Sequence, residues 1–137
     1  MGGRRQAREL ALQLLYQHEF RAVPPEEMQA HFEGWQGAAD KVREFADELF
    51  RGVVHNVVEI DGALEKQTAH WRLERLATVD RNILRLALYE LLYRDETPPA
   101  VVIDEAIEIA KKFGAEESAR FVNGVLDGYV KSRSRGT

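Results

Sequence analysis

Ile83 to Tyr93 reads Ile-Leu-Arg-Leu-Ala-Leu-Tyr-Glu-Leu-Leu-Tyr, a run that is apolar nearly all round a helical wheel. Helices of this kind lie in the middle of a domain, so the run predicts a central core helix over 79–94. Thr78 is expected to be its N-cap, and Asp80 suits the positive end of the helix dipole. Ahead of it, Ala7, Leu10, Ala11, Leu14 and Leu15 fall at helical spacing and predict an amphipathic helix over 3–21. Pro24 and Pro25 end that helix, and Pro25 with Glu26 and Glu27 opens a second, which presents Met28, Phe32 and Trp35 and is closed by Gly34 and Gly37. Val42, Phe45, Ala46, Leu49, Phe50 and Val53 predict a third over 38–56, and the three are expected to form one small bundle. A weaker stripe of Val57, Ile60 and Leu64 around Asp61-Gly62 predicts a fourth over 57–71, followed by a short turn at 73–77.

Beyond Pro98 and Pro99, Val102, Ile103, Ala106, Ala110 and Phe113 predict a sixth helix from about Ala100 to Phe113, with Gly114 as its C-cap and an exposed Glu108/Lys112 pair. The last helix follows. Ser118, Val122, Val125, Leu126 and Tyr129 form its core stripe. Opposite them, Glu117, Arg120, Phe121, Gly124 and Gly128 share an arc of about 100° at 3.6 residues per turn. A glycine inside a helix costs roughly 0.5–1 kcal/mol relative to alanine, so this stripe implies a close approach, either by a neighbouring helix or by a ligand. No period-2 alternation of useful length occurs. The fold class is all-α, with about seven helices.

At 137 residues the chain has the size of one domain, 1–137. It has no cysteine, which excludes disulfides, thiolate metal sites and cysteine nucleophiles. No stretch approaches a membrane span and the first 20 residues carry charges throughout, so a soluble, cytoplasmic protein with no membrane role is expected. The net charge of −4 is unevenly spread: residues 1–21 carry +2, the tail from 131 carries +3, and the middle −9. Basic ends on an acidic body suggest a local anionic ligand and a separate, basic partner for the body. Arg4, Arg5 and Arg8 oppose the dipole of the first helix, which leaves a solubilising end or an anion-binding arm as their role.

Catalytic constellations are absent from the sequence. His18, His31, His55 and His70 have no metal-ligand spacing and read as surface or packed residues. There is no phosphate loop or nucleophile elbow, so no catalytic residue, metal or cofactor is expected. A restricted nucleic-acid site fits better. Bases of single-stranded RNA stack on aromatic rings and bond to polar side chains, and here Phe121 offers a ring, Glu117 and Asn123 acceptors and donors, and Arg120 charge. The alternative is a helical protein-interaction or homodimerisation module without RNA specificity.

Three stretches carry a family resemblance: RRQARELALQLLY at 4–16, LRLALYEL at 84–91, and above all IDEAIEIAKKFGAEESARFVNGVLD at 103–127. They resemble the NusB family of bacterial transcription antitermination factors, nearly end to end. The resemblance implies two small three-helix bundles packed across each other. It implies binding to the boxA element of nascent ribosomal RNA leaders, a heterodimer with NusE, a small-subunit ribosomal protein, and a place in an antitermination complex on RNA polymerase. It leaves open whether the free protein is a homodimer. A related domain is fused to ribosomal RNA methyltransferases, and this chain is expected to stop where such a fusion would begin.

Carried over by position, the family's RNA-contacting arginines fall on Arg4, Arg5 and Arg8, with Gln6 where another arginine often stands. Gln13 and Tyr16 fall beside them, Arg81 and Arg85 on the central helix, and Glu117, Arg120, Phe121 and Asn123 on the last. The partner-facing surface falls on Glu74, Arg75 and Asp80, where Arg75 departs from the acidic residue the family leads one to expect.

Overall fold

The computed structural model describes residues 3–21, 23–30, 32–68 and 72–135. His31, His70 and Trp71 lie outside them. The described residues form eight α-helices and one 3-10 turn, with no strand: α1 Gly3–Phe20, α2 Pro25–Ala30, α3 Glu33–Gln36, α4 Asp40–His55, α5 Val57–Gln67, the 3-10 turn Leu73–Arg75, α6 Thr78–Tyr93, α7 Pro99–Phe113 and α8 Ser118–Arg135. The all-α class expected from the sequence is the one found.

The run that is apolar all round becomes the axis of the molecule. α6 packs against α1, α4, α5, α7 and α8, and buries Ile83, Leu84, Leu86, Ala87, Leu88, Tyr89 and Leu91. α1 buries its predicted stripe and Leu12 as well, because α4 covers one side of it and α6 the other. The main core draws on α1, α2 and α4 to α8, and a smaller cluster of Ala7, Leu10, Ala38, Val42 and Ala46 joins α1 to α4. Within the main core, α4 and α6 meet over Gly52, where a Cβ would stand 2.3 Å from the Tyr89 ring, so no larger residue can replace the glycine without a shift.

Five local expectations change. The predicted second helix is two, because Phe32 is extended at φ −97°, ψ 113° and folds its ring back over Gly34, 3.0 Å from where a Cβ would be. Gly34 therefore lies inside α3 and only Gly37 closes it. The N-cap of α6 is Ala77, not Thr78. Ala77 offers no side-chain cap, and Arg81 instead ties the start of α6 to the preceding turn, donating from Nη1 to the carbonyls of Leu73 at 3.1 Å and Leu76 at 2.9 Å and from Nη2 to the Thr78 hydroxyl at 3.5 Å.

α5 ends at Gln67 instead of reaching 71, where buried Thr68 turns its hydroxyl onto the Leu64 carbonyl at 3.1 Å. Glu108 bonds Lys111 at 3.3 Å, not Lys112, which reaches across to Glu9 of α1 at 2.9 Å. Gly114 does cap α7, in an extended conformation, and the Ser118 hydroxyl accepts the Ala115 amide at 2.9 Å to start α8.

Candidate nucleic-acid interface

The three N-terminal arginines have three different environments. Arg8 is buried and donates from Nε and Nη2 to Glu90 at 2.7 and 2.8 Å. The exposed arm expected of it does not exist: the helical spacing that puts Ala7 and Ala11 in the core carries Arg8 in with them, where the α6 carboxylate, with Glu105 of α7 at 3.7 Å, makes its burial tolerable. Arg5 is half-exposed and grips Glu105 of α7 in the same bidentate manner, at 2.9 and 2.8 Å. Its hydrogen bond and charge hold the Glu105 carboxyl below its ordinary range against the opposing effect of burial, and Arg8 adds to the effect. Arg4 is exposed, makes no ion pair among the described residues, and lies 4.5 Å from the centre of the Phe45 ring. Arg8 and Arg94 approach the same ring at 5.5 and 4.9 Å, so Phe45 gathers three guanidinium groups.

These residues face an open cleft of about 680 Å³, lined by Arg4, Arg5 and Arg8 of α1, Glu105 of α7, and Glu96, Thr97 and Pro98 ahead of α7. From there α1 runs along α7 to a second groove of about 290 Å³, lined by Gln13, Tyr16, Gln17, Val79 and Phe113. Gln13 bonds the Glu9 carbonyl at 3.2 Å, and Tyr16 leans on Phe20 with ring centres 5.1 Å apart. Phe20 is 66% exposed, which places it outside the core and, with Tyr16 at 42%, leaves two neighbouring rings on the surface. Sequence reasoning passed over it, although its i+4 spacing from Tyr16 is a usable signal.

At the start of α8, Glu117, Arg120 and Asn123 are exposed, and Phe121 is half-buried against the main core. The glycine stripe divides. At Gly128 a Cβ would meet Gln67 Oε1 at 3.1 Å, so α5 makes the close approach there, whereas at Gly124 a Cβ would meet nothing within 4 Å. Among the described residues nothing requires a glycine at 124, which leaves that position open to an external surface.

Arg81 and Arg85 stand elsewhere. Glu19, fourteen residues along α1 from Arg5 and so about 21 Å away at 1.5 Å per residue, accepts from Arg81 at 3.1 and 2.5 Å and from Arg85 at 2.8 Å. Arg85 also grips Asp61 with two bonds of 2.8 Å. Burial pushes the Glu19 carboxyl up, but the bonds and charges of Arg81, Arg85 and Asn82 together outweigh it and hold it below its ordinary value. Glu74 lines the same cavity as these two arginines, so the structure groups Arg81 and Arg85 with the partner-assigned residues and not with Arg4 and Arg5. Arg75 is exposed, and Asp80 keeps one carboxylate oxygen buried with no hydrogen-bond partner among the described residues.

No group of three His, Cys, Asp or Glu among the described residues could hold a metal, and no described helix is long and apolar enough to cross a membrane. The arrangement is that of an all-helical binding protein, with basic, polar and aromatic groups displayed along α1 and at the start of α8. Residues 5–131 match the NusB family model, and the chain belongs to the NusB family. It is 44% identical over 135 residues to the transcription antitermination protein NusB of Sorangium cellulosum, covering 98% of this chain and 96% of that one. It is 49% identical over 130 residues to the NusB of Geobacter sulfurreducens, with 93% of each covered. Among solved structures it resembles T. maritima NusB (TM-score 0.84, 42% identity, 93% of this chain and 90% of that one). It also resembles a chain from the structure of the antitermination factors NusB and NusE in complex with dsRNA (TM-score 0.85, 32% identity, 96% and 98%).

Proposed function

We propose that this chain is a transcription antitermination factor that works as one RNA-binding helical domain, without enzymatic activity. It binds a boxA-type single strand together with NusE, within a complex on RNA polymerase. The observation that carries the reading is the likeness, over nearly the whole chain, to a protein solved together with NusE and RNA. The displayed groups fit it: Arg4 and Arg5 for phosphates, with Arg120, Phe121 and Asn123 for bases. Arg8 supports this surface from below through Glu90 and Glu105.

The exposed Tyr16 and Phe20 rings, with Val79 beside Asp80, fit a protein partner better than RNA phosphates, because Glu19 and Asp61 already neutralise the arginines at that end. We therefore place NusE at the end of α1 bearing Phe20, next to Glu74, Arg75 and Asp80, and RNA on the faces bearing Arg4, Arg5 and the start of α8. A gel-shift assay against boxA RNA and a scrambled strand, with and without NusE, tests the reading. A preference for boxA that NusE strengthens is expected; equal binding to both strands in the presence of NusE removes it.

A further inference from the structure

Arg5, exposed beside Arg4 on the proposed RNA surface, is already occupied. Its Nε and Nη2 donate to the two oxygens of Glu105 at 2.9 and 2.8 Å, the fork geometry that a guanidinium also offers to a phosphodiester. Glu105 has a second cation in reach. Its Oε1 lies 3.7 Å from Nη1 of Arg8, which is itself fixed in the interior by two bonds to Glu90. The three side chains differ in freedom: Arg5 is 48% exposed, Glu105 19% and Arg8 6%. Glu105 thus stands between an exposed outer arginine and a buried inner one, on the wall of the cleft that Arg4 also lines.

We infer that Glu105 is an internal stand-in for an RNA phosphate, which the incoming phosphodiester displaces from the Nε/Nη2 edge of Arg5 while Glu105 passes to Arg8. The inference rests on the proposed RNA-binding role of the N-terminal arginines and names the residue that sets their affinity. Two features favour exchange over simple addition. A phosphate added to the free Nη1 edge of Arg5 with Glu105 still in place would bring two anions onto one guanidinium, and that repulsion weakens either contact. Exchange avoids this, because the carboxylate Arg5 releases keeps a charged partner at 3.7 Å and is not left bare in a partly buried site. The exchange is of ion pairs alone, with no proton or bond transferred.

The test is boxA RNA binding in the presence of NusE by four variants: Glu105→Gln, Arg5→Gln, the two combined, and Glu108→Gln. Glu108 lies on the same helix and its charge also reaches Arg5, but its carboxylate is bonded to Lys111. Glu105→Gln is expected to tighten binding about 2- to 5-fold, the range that the free energy of an exposed ion pair converts to. Arg5→Gln is expected to weaken binding, and the gain from Glu105→Gln to vanish in its background. Glu108→Gln is expected to give less tightening than Glu105→Gln. The inference is overturned by equal tightening in Glu108→Gln, by a gain that persists without Arg5, or by no gain from Glu105→Gln while Arg5→Gln still weakens binding. If Arg5→Gln leaves binding unchanged, the arginine surface itself falls. Far-UV circular dichroism on each variant separates these results from loss of fold.

Discussion

Arg8 and Glu90 face each other in the interior through two hydrogen bonds of 2.7 and 2.8 Å, with side-chain exposures of 6% and 2%. The pair ties the second turn of α1 to the last turn of α6 and thereby fixes where Arg4 and Arg5 stand. Removing one partner leaves a buried charge uncompensated. Arg8→Met should lower the unfolding free energy by about 3–5 kcal/mol, and adding Glu90→Leu should recover much of that loss. Urea denaturation of both single variants and the double measures this; a loss in the double variant equal to the sum of the two single losses would mean the pair is not coupled.

Tyr89 lies against the bare backbone of Gly52, where a Cβ would stand 2.3 Å from its ring. Gly52→Ala should therefore destabilise the fold by about 1–3 kcal/mol through overpacking, despite the better helix propensity of alanine. A Tyr89→Leu background should relieve most of the penalty, which thermal unfolding can establish.

Gly124 gives the opposite expectation, since a methyl group there meets nothing within 4 Å. Gly124→Ala should be neutral or stabilise by up to about 1 kcal/mol. If RNA passes close to this turn of α8, the same variant should bind boxA RNA more weakly while melting no lower. Unchanged affinity would assign the glycine no part in the interface.

Phe121 packs partly on the core, so truncation to alanine would mix stability with binding. Phe121→Leu keeps an apolar side chain and removes only the ring. It should lose about 1–3 kcal/mol of RNA affinity if a base stacks there. Isothermal titration on the folded variant measures this, and wild-type affinity would move the stacking site elsewhere.

The Glu19 and Glu105 carboxyls are both held below their ordinary range in the folded protein. A depressed folded pKa means that the stabilisation is present above the unfolded value, near 4.5, and is lost as pH falls through the folded value. Stability should therefore drop on acidification below about pH 4.5, and Glu19→Gln should flatten that part of the profile. Tyr93 acts at the other limit: its hydrogen bond to Glu59, aided by burial, raises its hydroxyl to about 12. The contribution of that bond is complete below the ordinary tyrosine value and disappears as pH rises through the shifted one.

Much of this protein can be read from the chain alone, because helical periodicity is local. The stripe of α1, the uniformly apolar run of α6 and the proline and glycine stops at Pro98 and Gly114 each state their element in a few neighbouring residues, and the long run 103–127 states the family. Ion pairing between elements is not local, and here the sequence is silent. Arg4, Arg5 and Arg8 read as one basic cluster and do line one cleft, but their partners could not be read: one is buried on Glu90, one is held by Glu105 and one rests on Phe45. Arg81 and Arg85 read as part of the same site, yet Glu19 and Asp61 hold them at the far end of α1. The glycine stripe of α8 reads as one feature, yet α5 covers Gly128 and leaves Gly124 open. Each outcome depends on which helix packs beside which, and partners separated by 24 to 100 residues carry no mark in the spacing of the chain that names them.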